Sequence, residues 1–445
     1  MSACRCDTNE LDEPVFLVVL FSCGASSAPC FFHLQDRIVT HLFRALRRLV
    51  PLVMLIACGG DGAEVTPVTP IPPVTSPTIA SLVVLGQGEI ANRYSAEISV
   101  GSRYAYSSSW GLRNSVRGNA IYVWDLDGAQ PALVDSVIVA DAGTTGDVQV
   151  VSDANLLAVA VEPAPRGALM LYDLTTPARP QLIGRYETPN TVNGVHTAQI
   201  SRVDGRLYAF LAIDPRGSEV AKLVIVDITD PRLPVEKWVQ NLGSPFIHDV
   251  HVRDGIMLTA EWNDGMAAYD IGGGGRGGSP TNPVFLGRVR TVGGSVHNVY
   301  WLRDSSSGAR YALVGEEGPG ALGTSSQGDV HVVDVSSWSA MREVAFYGVS
   351  TAGTHNFWVD ESAGVVYAAY YNAGVRALDV RGDLSDCASV ARDALGRCDL
   401  AQTKRVLATA LTTTASYVWG VDGAGGSVIA SDMLRGVWRL SRAHR

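Results

Sequence analysis

The chain has 445 residues, 47% hydrophobic and 18% charged, with a formal net charge of −9. That is ample material for a large core that one domain can use. Lysine occurs only at Lys222, Lys237 and Lys404, and a moderately acidic body without a basic block argues against nucleic acid as a partner.

Residues 1–57 read as a leader. Its start is acidic and carries Cys4 and Cys6, and the apolar stretch from Val15 to Phe32 is broken by Gly24 and Pro29, which makes a poor membrane span. Arg44, Arg47 and Arg48 then precede LVPLVMLIAC, ending at Cys58. A basic segment, a short apolar run and a small residue before cysteine form a secretory signal. Leu55 to Cys58 resembles a bacterial lipobox, in which the cysteine thiolate takes the lipid and becomes the new N-terminus. A signal starting near residue 44 is late, so the true translation start is expected near Val39 to Leu42. The rival box at Leu20 to Cys23 follows an acidic rather than a basic stretch. Residues 58–80 are a Pro/Thr-rich tether, extended and semi-rigid. The expected setting is extracytoplasmic, in the periplasm or at the cell surface, with the membrane as partner through the lipid anchor.

From residue 81 onward the chain repeats one unit. Lys222 to Pro234, KLVIVDITDPRLP, reads as a strand ending on Asp227, a turn, and a second strand through Val235 and Trp238. Similar hairpins carry Asp125, Asp173, Asp270, Asp334 and Asp379, and a degenerate last one has Ser441 in that place. The six aspartates lie 48, 54, 43, 64 and 45 residues apart. Such a period indicates a propeller or another repeat array. Upstream of each hairpin lies a strand–turn–strand pattern, as in HDVHVRDGIMLTAEW, so each repeat supplies four strands. Seven such units predict an all-β fold: a seven-bladed β-propeller of four-stranded antiparallel blades over residues 81–445. The last repeat supplies only three strands. The segment 81–87, SLVVLGQ, resembles an outermost strand and is expected to complete that blade.

The run LVIVD at 223–227, followed by a turn with Pro231, resembles the LVIVD-repeat family of exported bacterial and archaeal β-propellers, over roughly residue 81 to the end. The resemblance implies the fold and an extracytoplasmic setting. It implies no single chemistry.

The repeated Asp125, Asp173, Asp227, Asp270, Asp334 and Asp379 read as turn caps, since a carboxylate at a strand end accepts hydrogen bonds from turn N–H groups. The histidines are more specific. His196, His248, His297 and His355 open the first strand of four consecutive repeats, 52, 49 and 58 residues apart. First strands line a propeller's channel, so four imidazoles are expected in an arc near one mouth. Second strands end on Glu162, Asp214, Glu261, Glu316 and Asp432. Imidazoles and carboxylates converging there suit a divalent transition metal or a polar small ligand. The alternative is structural: each histidine hydrogen-bonds the adjacent blade. His251 is sent to the opposite strand face by period-2 alternation.

The G-x-S-x-G, H-E-x-x-H and P-loop patterns are absent from the sequence. Gly272 to Gly278, GGGGRGG, reads as a floppy hairpin insertion. Tyr106 to Trp110 and Tyr370 to Asn372 are expected beside the mouth. Cys387 and Cys398, an even pair in an exported chain, read as a disulfide. The function expected is a monomeric binding or interaction module at the cell surface, taking a protein, glycan or small molecule. The alternative is a metal-dependent oxidoreductase or hydrolase using the histidines.

Overall fold

The structure, a computed structural model, describes residues 79–444 apart from 164, 304–307, 309, 319 and 414. The leader, the lipobox with Cys58 and nearly all of the tether lie outside the described residues. Helix is confined to three-residue turns, and no helix among the described residues is long and apolar enough to cross a membrane.

The described chain forms seven antiparallel sheets of four main strands, arranged as a propeller. Blade 1 comprises Tyr94–Gly101, Tyr104–Trp110, Ala120–Asp125 and Ala132–Ile138. The inner strands of blades 2 to 6 are Val148–Val151, Val195–Val203, Asp249–Arg253, Val296–Trp301 and Phe357–Asp360. Blade 7 has Val418–Ala424, Ser427–Asp432 and Gly436–His444, and its fourth, outer strand is Ile79–Glu89 from the other end of the described chain. That closing strand extends two residues beyond each end of the segment 81–87 read from the sequence.

The second and third strands of a blade are near-continuous apolar runs because both their faces are covered. In Arg206–Ile213 of blade 3, Leu207, Ala209, Leu211 and Ile213 pack toward blade 2, while Tyr208, Phe210 and Ala212 pack toward blade 4. Lys222–Asp227 divides the same way, with Val224 and Val226 on one side and Leu223 and Ile225 on the other. This two-sided burial is what the run LVIV records. A hydrophobic cluster fills every gap between neighbouring blades, including blade 7 to blade 1, where Ile429 and Val437 meet Ile98, Tyr122 and Trp124. The ring is closed.

Each repeated aspartate accepts the N–H of the residue two further on: Asp127, Thr175, Thr229, Gly272, Ser336 and Arg381 in turn. The glycine run after Asp270 is ordered, contrary to the sequence reading. Gly272, Gly274, Arg276 and Gly278 all direct their N–H groups onto the Asp270 carboxylate. Glycine permits this wrapping because Gly272, Gly275 and Gly277 adopt positive φ. Cys387 and Cys398 form a disulfide, and closing a loop of that size contributes roughly 2–3 kcal/mol. The bridged insertion adds Cys398–Asp399 as a parallel strand on the outer edge of blade 5.

Candidate metal centre

The histidines sit where the inner strands begin, and a bulge turns them inward. In blade 3 Val195 pairs with Ile213 and Thr197 with Ala212, leaving His196 as the extra residue. The same slip isolates His297 in blade 5 and Trp419 in blade 7. In blades 4 and 6 the N–H groups of His248 and His355 donate to the carbonyls of Ala260 and Ala369, both at 2.8 Å. A bulge re-aims a side chain that regular alternation would lay on the blade face. The rings form a contiguous row, edge-on or tilted to one another: centroids are 4.3 Å apart for His196 and His248, 3.8 Å for His248 and His297, and 4.0 Å for His297 and His355. Trp419 continues it at 4.2 Å from His355. Blades 1 and 2 place Ala96 and Gly146 at the corresponding point, the residues before Glu97 and Asp147. A cavity of about 30 Å³ lies beside Gly146, His196, His248, His355 and Trp419.

His196 Nδ1 lies 3.3 Å from Glu162 Oε1 and 3.4 Å from Asp214 Oδ1. Burial disfavours its cation, but the two carboxylates outweigh burial and raise its pKa well above the usual histidine value. Its Nε2 is 2.8 Å from His248 Nε2. One of these two nitrogens donates to the other, and His248 Nδ1 has no hydrogen-bond partner among the described residues. Burial first, then neighbouring imidazoles, push His248, His297 and His355 well below the usual value. Three neutral rings with free lone pairs are what metal ligation needs. His297 is 1% exposed, and neither of its nitrogens has a hydrogen-bond partner among the described residues. Its Nε2 lies 3.6 Å from Glu317 Oε2. Glu317 in turn accepts a hydrogen bond from Tyr371 Oη. Tyr371 holds φ at +40° and Trp262, beside His248, holds +47°. For bulky residues these are strained positions, which cluster where side chains must be aimed.

Two ligand sets result, each with its donor atoms within 4.8 Å of one another: His248, His297 and Glu317, and Glu162, His196 and Asp214. The other three acids named from sequence do not join them. Glu261 accepts from Thr259 and Tyr269 and pairs with Arg288. Glu316 turns onto the blade to His331, 3.1 Å away. Asp432 caps the N–H groups of Tyr417 and Leu434 and accepts from Trp438. The physical reason in blade 5 is strand alternation: Glu316 still belongs to its strand and faces the sheet, whereas Glu317 lies just past the strand end. Sequence reasoning missed Glu317, although the Glu-Glu pair signalled it. It also missed Trp419, which occupies the histidine position of its own repeat.

Behind the histidines a cavity of about 300 Å³ is lined by all seven inner strands, with Glu97, Asp147, Asp249 and Asp422 among its walls. Three of these carboxylates have backbone partners in the next blade. Asp147 accepts from Ala198 N at 2.8 Å, Asp249 from Val299 N at 3.4 Å and Asp422 from Val100 N at 2.6 Å. An inner strand is a sheet edge with unpaired N–H groups, and these acids cover them. Burial raises the Asp422 pKa to about 6, and burial with the nearby Asp147 raises that of Asp249 to about 7.

The LVIVD repeat family model matches residues 217–239, the hairpin of the third and fourth strands of blade 3. A search of the curated proteins gives no match. The matched repeat and the seven-sheet ring together identify the chain as an LVIVD-repeat β-propeller.

Proposed function

We propose that the row of histidines binds a divalent transition metal, with His248, His297 and Glu317 as ligands and Glu162, His196 and Asp214 as an adjoining set. The observation that carries this reading is the fully buried His297 with two unpartnered nitrogens. Leaving a buried donor or acceptor unpaired costs about 1–3 kcal/mol, and a metal ion would use the lone pair. Imidazole donors favour zinc, copper, iron or nickel over calcium or magnesium. Two imidazoles and one carboxylate leave a coordination position open, as in catalytic rather than structural sites. The 30 Å³ space beside His248, His196 and Glu162 suits an ion with one or two waters, not an organic molecule. This is the ligand set of a metal-dependent hydrolase or oxidoreductase.

Elemental analysis of the purified full chain tests the reading. Stoichiometric transition metal is expected, and its loss in the His248→Ala/His297→Ala variant. Metal-free protein whose melting is unchanged by EDTA overturns it.

A second reading, an exported lipid-anchored surface module that binds a protein, glycan or small ligand, is favoured by the Cys387–Cys398 disulfide. Disulfides persist in oxidising compartments. Lipidation at Cys58 stands on the sequence alone. Cys58→Ser should release the chain from the membrane fraction; a chain that is soluble before the change removes the anchor.

A further inference from the structure

The histidine space is too small for an organic molecule, yet two of its carboxylates open elsewhere. Glu162 and Asp214, about a quarter exposed, also line a cleft of about 470 Å³ formed by blades 1, 2 and 3. That volume falls in the range of small-molecule sites. Its charged walls include Arg117 and Arg216. Arg117 ends the small hairpin Leu112–Arg113 to Val116–Arg117, inserted between the second and third strands of blade 1. Arg216 lies in the matching loop of blade 3, in a turn closed by backbone bonds with Glu219. The two arginines are 99 positions apart in the chain, and the ring brings them to one cleft.

Neither guanidinium has a carboxylate partner among the described residues. Arg117 donates one hydrogen bond, to the Ala140 carbonyl at 3.1 Å, which leaves the rest of its fork open. Asp214, two residues before Arg216, lies against His196, and Glu219, three residues after it, pairs with Lys222. The two acids of the cleft turn to His196, whose Nδ1 lies 3.3 Å from Glu162 and 3.4 Å from Asp214. Two uncompensated arginines in one cleft of a chain with net charge −9 run against the global balance.

We infer that this cleft binds a small oxyanion-bearing molecule, a carboxylate or phosphate held by Arg117 and Arg216, with its remainder lying toward Glu162 and Asp214. Guanidinium forks match planar and tetrahedral oxyanions by paired N–H donors. Leu112 and Pro215 supply the apolar wall. The binding step stands on the arginines and the cleft. Only the supposition that the bound molecule is presented to a metal rests on the reading of the histidines.

Titration calorimetry of the EDTA-dialysed full chain with succinate, inorganic phosphate and the neutral succinamide tests it, independently of metal content. Saturable binding of succinate or of phosphate is expected, with none for succinamide. Arg117→Gln/Arg216→Gln should weaken that binding at least tenfold while the melting temperature, measured in parallel, stays unchanged. A stronger succinate response assigns a carboxylate, and a stronger phosphate response assigns a phosphate. Absence of saturable binding by both anions, or binding that the double variant leaves intact, overturns the proposal. Elemental analysis of the same preparation before dialysis reports separately on the metal.

Discussion

Blades 3 to 6 and blades 7, 1 and 2 share one scaffold and differ at one position. In all seven an equivalent residue lies at or just before the start of the inner strand. In four blades that residue is histidine; in the other three it is Trp419, Ala96 and Gly146. The shared features, such as turn-capping aspartates and cross-blade carboxylates, occur on both sides of the ring and hold it together. The differing position creates chemistry on one side and space on the other. A repeat fold thus separates the two tasks by residue position within each repeat.

The sharpest way to break the comparison is to make a histidine blade resemble the others. His297→Phe should abolish metal binding, read by elemental analysis. The metal-stripped variant should melt no lower than the metal-stripped parent, because the change removes two unpartnered buried nitrogens while keeping a ring of similar size. A structural histidine would instead give a large loss of stability with unchanged metal content. A milder change acts from the opposite side. A side chain at Gly146 first meets the His196 carbonyl at 3.4 Å and Glu162 Oε1 at 3.6 Å, so it is accommodated. Gly146→Leu should fill the small cavity and weaken metal binding about tenfold, about what an altered outer shell costs, with the circular dichroism spectrum unchanged.

Acid should distinguish the two sides through their histidines and not through their caps. Burial raises the Asp270 pKa, but the four N–H donors outweigh it and hold the group at about 2. Asp125 and Asp173, led by their hydrogen bonds from Arg103 and Thr175, are also lowered. A carboxylate with a depressed folded pKa stabilises the fold above its unfolded value near 4, and this is lost as pH falls toward the folded value. These caps are common to the parent and to His297→Phe, but the buried neutral His297 costs the parent further stability as pH falls below about 6.5, so the metal-stripped variant should resist acid unfolding better than the metal-stripped parent. The smallest effect is alkaline and belongs to blade 5. Burial opposes the His331 cation, but Glu316 and Glu343 outweigh it and raise the pKa to about 9. Its contribution is complete below pH 6.5 and is lost as pH rises through 9. His331→Gln should flatten stability between pH 7 and 10, measured by chemical denaturation.

The ring was legible in the sequence because its signals are local: an apolar run, a terminal Asp and a turn, repeated. The arc of histidines was legible for the same reason, since equal positions in equal units converge. The acids were only partly legible. Whether a strand-end carboxylate faces the axis depends on a shift of one residue, which separates Glu317 from Glu316. The order of the glycine run was hidden because it comes from one carboxylate collecting four alternate N–H groups of the loop that follows it, and composition does not show that. The cleft with Arg117 and Arg216 was hidden because both residues sit in loops outside the repeating pattern.

The outer strand of blade 7 has a kinetic consequence. Gln87 bonds the Arg435 carbonyl across 348 positions of chain. During synthesis or export, Ile79–Glu89 emerges before the other strands of the ring and waits for a mate from the last of them, so latching must be the slow, final event of maturation. Until then Val83, Val84 and Leu85, already exposed in the finished molecule, ride on a naked ribbon that invites pairing with foreign strands.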